Sequence, residues 1–238
     1  MNDRRTKNFT RIVISQLAVA SLMFAIGLVI VFYAQGFRYD WQKMTLIKTG
    51  ILYLSSNQKN ASVYLDDQFV SAKTPYSRNL LPGYYQIEVK KDNYVAWLAV
   101  AKIEPEMVTD FRDVILIPNS ITPAPLNDEK KIALLSLPTD VLAVNADKAL
   151  VYNDHEIWVS DILVTRFAEP IQKAIWYPDY NHIIYQQGQK IRVIEKSGFN
   201  DTLLVKLNQS TVTDLAVGGR GEELYYRDNG QTMMAKIK

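Results

Sequence analysis

The clearest pattern in the chain is an uncharged run of 23 residues from Ile12 to Ala34, interrupted by only three weakly polar side chains. At about 1.5 Å per residue, a helix of this length can cross a hydrocarbon core of roughly 30 Å. No later segment is comparable. The pattern therefore predicts one transmembrane helix at residues 12–34, which contacts the lipid bilayer, and about 200 residues on one side of it.

Aromatic side chains gather at the C-terminal end of this run. Amphipathic rings of this kind are enriched at membrane–water interfaces. The residues concerned are Phe32, Tyr33, Phe37, Tyr39 and Trp41. Their position supports a membrane helix that ends near Ala34.

A cleaved signal peptide is the alternative interpretation, because Ala34-Gln35-Gly36 offers small residues around a possible cleavage site. Signal peptides have a shorter apolar region, of roughly 7–15 residues, so an uncleaved anchor is favoured. The N-terminal tail, residues 1–11, is more basic than the segment that follows the apolar run. This difference predicts that the tail is cytoplasmic and that the C-terminal domains are extracytoplasmic, in the cell envelope. The charges compared are Arg4, Arg5, Lys7 and Arg11 on one side and Arg38, Lys43 and Lys48 on the other.

Apolar and polar residues alternate with period two in the segment that follows. Half-buried strands have this pattern, with apolar side chains on one face. Turn residues such as Asp66-Asp67 separate the strands. The expected core-facing residues are Ala61, Val63 and Leu65 in one strand and Tyr85, Ile87 and Val89 in another. We therefore expect a small antiparallel β-sandwich at residues 45–118.

The order of turns and strands in this segment resembles the PEGA domain. The matching features are the strand Ala61–Leu65, Thr74-Pro75, Leu81-Pro82-Gly83 and Tyr94. Asn60 and Asn93 stand where the family usually has glycine, and asparagine tolerates positive φ better than most residues. The resemblance implies a surface or envelope module that displays or binds without catalysis.

A polar segment with two prolines, residues 119–128, is predicted to be a linker. Beyond it, a weak repeat places a strand that ends in tyrosine, a polar turn and a second strand in each of three units. Tyr152, Tyr185 and Tyr226 are 33 and 41 residues apart, close to the length of a four-stranded propeller blade.

The residues Trp176-Tyr177-Pro178-Asp179 resemble the turn of TolB-type and WD40-like propeller blades. Three units are too few to close a propeller, since each blade must cover its neighbour. Residues 129–238 are therefore expected to form an incomplete propeller-like antiparallel β domain, and oligomerisation is one way to complete its core. A generic antiparallel sheet with a coincidental repeat is the alternative.

Composition limits the chemistry that the chain can perform. The net charge is +2 with no dense basic stripe, which argues against nucleic-acid binding, and cysteine is absent. The two histidines, His155 and His182, are interpreted as solvated turn residues. Gly218-Gly219-Arg220-Gly221 is interpreted as a loop between strands, because no helix follows it to bind an anion. We expect no catalytic residue, cofactor or metal site, and no enzyme activity.

The chain contains 14 tyrosines and 4 tryptophans. Such residues are enriched on recognition surfaces, although strand propensity also favours them. Tyr64, Tyr84 and Gln86 should point outward from the first sandwich, and they are the candidate recognition residues. The predicted protein is mainly β and membrane-anchored, and it binds or scaffolds an envelope polymer or protein partner. The alternative is an accessory or sensor subunit of an envelope enzyme or transport complex.

Overall fold

The computed structural model describes residues 3–41, 44–136 and 149–238, and it describes side chains from residue 14 onward. Lys43 and the basic side chains of the N-terminal tail lie outside these residues. The chain divides into two compact units. Unit 1 comprises Met1–Tyr53, Ser77–Tyr85 and Ala101–Asp110, and unit 2 comprises Leu54–Tyr76, Gln86–Val100 and Phe111–Lys238.

The predicted apolar helix is present as α1 (Asp3–Ala34). Its segment Ile14–Ala34 is long and apolar enough to cross a membrane, and its side chains are exposed. A signal sequence near the N-terminus would have the same properties, so the helix fits an anchor or a signal sequence. The described residues contain no second helix of this kind.

The rest of the described chain is mainly β, arranged in several antiparallel sheets, as the pattern predicts. After α1 come β1 (Phe37–Asp40) and β2 (Thr45–Lys48), which pair with each other. Two further sheets have the strand orders β6-β3-β9 and β5-β4-β7-β8. Their strands are β3 (Gly50–Ser56), β4 (Ser62–Leu65), β5 (Gln68–Ser71), β6 (Tyr76–Leu80), β7 (Gly83–Lys90), β8 (Trp97–Ile103) and β9 (Val108–Val114).

The predicted alternation within β4 and β7 is confirmed by burial. Val63 and Val89 are completely buried, and Ile87 is 1% exposed. Neighbouring side chains on both strands are exposed or only partly buried. The register pairs Val63 with Val89 and Leu65 with Ile87, so the apolar residues of the two strands share one face.

Asparagine and aspartate, which tolerate left-handed backbone better than most residues, occupy several of the positions with positive φ. Asp66 and Asp67 have φ of 48° and 62°, which suits the tight hairpin turn between β4 and β5. Asn60 and Asn93, the two residues in glycine positions, have φ of 59° and 67°. The substitution of asparagine for glycine is therefore compatible with the backbone at both places.

The C-terminal part contains three sheets, with the strand orders β11-β12-β13, β14-β15-β16-β17 and β10-β20-β19-β18. Two residues of the predicted linker form β10, which pairs with β20. The elements are β10 (Ala124–Pro125), α2 (Glu129–Ala133), a 3₁₀ turn (Leu134–Ser136), β11 (Leu150–Tyr152), β12 (Glu156–Val159), β13 (Ile162–Arg166), β14 (Ile171–Trp176), β15 (His182–Gln187), β16 (Lys190–Glu195), β17 (Thr202–Lys206), β18 (Leu215–Gly218), a 3₁₀ turn (Gly219–Gly221), β19 (Glu223–Asp228) and β20 (Gln231–Lys236). The predicted boundaries at 45–118, 119–128 and 129–238 remain predictions.

These three sheets pack in layers within unit 2. Ile183 and Tyr185 face the β11–β13 sheet, whereas Ile184 faces the sheet that contains β18–β20. Both faces of the middle sheet are thus covered, which explains why β15 is a nearly continuous buried run. On the far side of the last sheet, Leu135 packs against Tyr225. Layered meander sheets fit the expected incomplete propeller-like domain, while kinship with propellers remains a prediction.

The repeat units are hairpins, as predicted, but only β11 ends at its tyrosine, since β15 and β19 continue two residues beyond Tyr185 and Tyr226. The strands β11–β12, β15–β16 and β19–β20 pair directly. In the blade-like turn, Asp179 Oδ1 accepts hydrogen bonds from the backbone N–H groups of Asn181 and His182, at 2.8 and 3.0 Å. Tyr180, the residue after Asp179, has a positive φ of 56°.

The glycine-rich segment after β18 is a loop between strands, as expected. The Tyr177 hydroxyl donates a hydrogen bond of 2.7 Å to the carbonyl of Gly221. Gly221 has φ of 90°, and a Cβ at this position would overlap the Tyr177 hydroxyl. This loop therefore provides a packing site for a buried tyrosine.

Candidate binding surface

One face of the β5-β4-β7-β8 sheet presents a mixed aromatic, apolar and charged surface in unit 2. Alternation along each strand points these side chains away from the buried residues. We call this surface the outer face; it consists of Tyr64, Phe69, Gln86, Glu88, Lys90, Leu98 and Val100. Four strands at about 4.8 Å spacing make it roughly 14 Å wide between its edge strands.

The first edge of the outer face is aromatic. Tyr64 pairs with Phe69 across the hairpin, and their rings meet edge to face with centroids 5.6 Å apart. Phe69 is 58% exposed. The Lys90 ammonium lies 5.0 Å from the centre of the Tyr64 ring and forms an ion pair of 2.6 Å with Glu88. The hydrogen bond that the Lys90 ammonium donates to the Glu88 carboxylate raises the pKa of Lys90.

The second edge is aliphatic. Leu98 and Val100 on β8 are 56% and 66% exposed. Trp97 and Ala101, which alternate with them along β8, are buried. The outer face therefore combines apolar groups at its two edges with a polar stripe on β7.

The three predicted recognition residues have different positions. Tyr64 lies opposite Glu88 in the register, which places it diagonal to Gln86 on the same face. Gln86 is exposed, whereas Tyr64 is partly covered by its neighbours. Tyr84 is 72% exposed but belongs to unit 1. A recognition role for these residues remains a prediction.

Sequence reasoning missed Phe69, Leu98 and Val100. The alternation in the segment from Trp97 to Ile103 would have marked Leu98 and Val100 as outward-facing, since it is the same signal that was used for β7. Phe69 could be identified from the two-residue turn at Asp66-Asp67, which places it opposite Tyr64.

The edge strand β8 is supported by the C-terminal sheets of unit 2. Asn200 donates from Nδ2 to the carbonyl of Leu98 at 3.0 Å and accepts from the N–H of Leu98 at 3.1 Å. Asn200 also donates to Glu195 Oε1 at 3.0 Å, and the Trp97 indole donates to the same carboxylate oxygen. These bonds satisfy backbone groups on an exposed strand edge and hold β8 against the middle C-terminal sheet.

The interpretation of His182 as a solvated turn residue is wrong. His182 begins β15, is 6% exposed, and its Nδ1 lies 2.7 Å from Asp179 Oδ2. Its strand lies between β14 and β16, and Asp179 covers the ring nitrogen, so the side chain has little contact with solvent. His155, in contrast, is exposed, as expected. Among the described residues, no group of three or more histidine or carboxylate side chains could hold a metal ion.

Comparison with known proteins supports the resemblance seen in the sequence. A search of the curated proteins found no match to the chain. The chain carries a segment, residues 49–115, that matches the family model of the PEGA domain.

Proposed function

We propose that this protein is a membrane-anchored, extracytoplasmic binding or scaffolding protein without catalytic activity, and that the outer face is its binding surface. The observation that carries the proposal is the exposure of Phe69, Leu98 and Val100 around Tyr64 on the PEGA-matching sheet. The partner is an envelope polymer or protein. The single apolar helix supports attachment to a membrane.

The chemistry of the outer face supports binding of a partner with both apolar and hydrogen-bonding groups. The Tyr64 and Phe69 rings offer stacking surface, and Gln86 offers an exposed amide. The Glu88–Lys90 pair brings opposite charges together and leaves little local net charge. We therefore expect binding to depend weakly on salt.

The test compares single substitutions in the full chain. Val100→Ser on the outer face and Val212→Ser elsewhere alter side chains of nearly equal exposure, 66% and 64%. Phe69→Ser provides a second change on the outer face. Each detergent-solubilised variant is immobilised on a surface, and its affinity for purified envelope polymers and for solubilised membrane proteins is measured. We expect the two outer-face variants to lose roughly tenfold in affinity, which is about 1.4 kcal/mol, while Val212→Ser retains wild-type binding. Equal binding by all three variants would refute the proposal.

A second candidate function rests on the β11–β13 sheet. The register places Val151 beside Trp158 and Trp158 beside Leu163, and Val151 is 56% and Leu163 39% exposed. This apolar row would suit an accessory or sensor subunit that docks on an envelope enzyme or transport complex. Leu163→Ser should then abolish co-purification with that complex and leave binding through the outer face intact. Loss of both together would argue against a separate docking role.

A further inference from the structure

The β1–β2 hairpin directly follows α1 and has two chemically different faces. The register pairs Phe37 with Lys48 and Tyr39 with Leu46, so these residues share one side. Arg38, Asp40, Thr45 and the half-buried Ile47 belong to the other side. We call the first side the hairpin face; its apolar members are Phe37, Tyr39, Trp41, Met44 and Leu46.

Side-chain contacts unite the hairpin face into one cluster. The rings of Tyr39 and Trp41 meet edge to face at 4.8 Å, and the Tyr39 hydroxyl donates to Met44 Sδ at 3.5 Å. Phe37 makes a similar ring contact, at 5.6 Å, with Phe32 at the end of α1. The apolar surface of the helix therefore continues onto the hairpin.

This cluster is exposed. Trp41 is 80%, Met44 70% and Leu46 53% exposed. Among the described strands, β1 and β2 pair only with each other. A hairpin that stands alone is marginally stable in water, and a contiguous exposed apolar cluster marks a site of interaction with a partner or a membrane.

The opposite side of the hairpin fixes it to the end of α1. The guanidinium of Arg38 donates to the carbonyls of Tyr33 and Phe37, at 3.1 and 2.9 Å, and lies 3.4 Å from the centre of the Tyr33 ring. Thr49 donates through its N–H and its hydroxyl to the carbonyl of Gly36, both at 3.0 Å. These bonds hold the hairpin where the helix ends.

We propose that the hairpin face lies in the headgroup region of the same bilayer that α1 enters, so that the hairpin is a second, interfacial contact with the membrane. The proposal rests on the proposed membrane anchor. Continuity with the helix and aromatic rings next to its end are features of a lipid interface. Lys48 is paired with Glu106 at 2.5 Å and Arg38 is bound to carbonyls, so the contact needs no anionic lipid.

The absence of cysteine allows a direct test. A single cysteine is introduced into the full chain at Leu46 or at Thr45, adjacent positions assigned to opposite sides of the hairpin, and labelled with a small fluorophore. The proteins are reconstituted in vesicles of pure phosphatidylcholine. Quenching is measured with brominated acyl chains from the lipid side and with iodide from the aqueous side.

We expect the Leu46→Cys label to be quenched by brominated lipid at least about twofold more than the Thr45→Cys label, because an interfacial element sits roughly 5–10 Å into the headgroup boundary. Iodide should show the opposite order. Equal quenching at both positions overturns the proposal. Protection of Leu46→Cys from both quenchers also overturns it, since protein would then cover the hairpin face.

A third labelled variant, Leu22→Cys within α1, separates this proposal from the anchor on which it rests. Lipid quenching at Leu22 with iodide quenching at Leu46 refutes the interfacial hairpin and leaves the anchor in place. Loss of the Leu22 label from the protein identifies a cleaved helix and refutes the anchor.

Discussion

The contact between Asn200 and β8 leads to a quantitative prediction. Asn200→Gly removes three hydrogen bonds, two with the backbone of Leu98 and one with Glu195. A net value of about 1 kcal/mol per bond would give about 3 kcal/mol. Because Leu98 is half exposed, water can replace part of the loss, so we expect a decrease of about 2 kcal/mol in the free energy of unfolding. Glycine adds no backbone strain at φ of 55°.

Asn229→Gly is the matched control. Asn229 has nearly the same left-handed backbone, with φ of 51°, in the turn between β19 and β20. It is exposed and has no side-chain hydrogen bond among the described residues. Its replacement should change the free energy of unfolding by less than about 0.5 kcal/mol. Urea unfolding of the full chain in mild detergent, followed by tryptophan fluorescence, measures both variants. Equal destabilisation by the two substitutions would refute the reasoning about β8.

Three further predictions concern the buried residues and titrating groups. Ile87→Asp should unfold the PEGA-matching sheet, because it buries an unpaired carboxylate at a cost of more than about 4 kcal/mol, whereas Glu88→Ala on the opposite face should cost less than about 0.5 kcal/mol in the same urea assay. The hydrogen bond from Lys131 lowers the pKa of Glu223 below its ordinary value of 4.5. The stability that the Glu223 carboxylate contributes is therefore present above pH 4.5 and is lost as pH falls through the lowered pKa. The variant Glu223→Gln should be less stable than the wild type at pH 7 and should lose less free energy of unfolding on acidification. Burial raises the pKa of Tyr226 to about 12. The stability that the neutral phenol contributes is therefore present below pH 10 and is lost as pH rises towards 12. The variant Tyr226→Phe should lose less free energy of unfolding over that interval than the wild type, and equal losses would contradict the assignment.

Local patterns predicted the parts of the fold that depend on local physics. The uncharged run indicated α1, and alternation identified the buried faces of β4 and β7. Asn60 and Asn93 were assigned to glycine-like positions because asparagine tolerates left-handed backbone, and both have positive φ. In each case the signal lies within a few residues of sequence.

Features that depend on distant residues were not predicted. The bonds of Asn200 to Leu98 join positions 102 residues apart, and no local pattern specifies such a pair. His182 was assigned to a solvated turn because its neighbours in sequence are polar, but packing of sheets buries it. The same limit applies to the outer face: local alternation shows which side chains point outward, whereas exposure depends on what packs over them.

Attachment of the intact chain to a membrane is the central claim of this account. The most direct measurement is alkaline carbonate extraction of membranes from cells that make the full chain, followed by mass spectrometry of the N-terminus. We expect the protein in the membrane pellet with α1 present, because an apolar helix of this length stays in the bilayer when peripheral proteins are released. Recovery of a soluble chain that lacks the first 36 residues would contradict the account and identify α1 as a signal peptide.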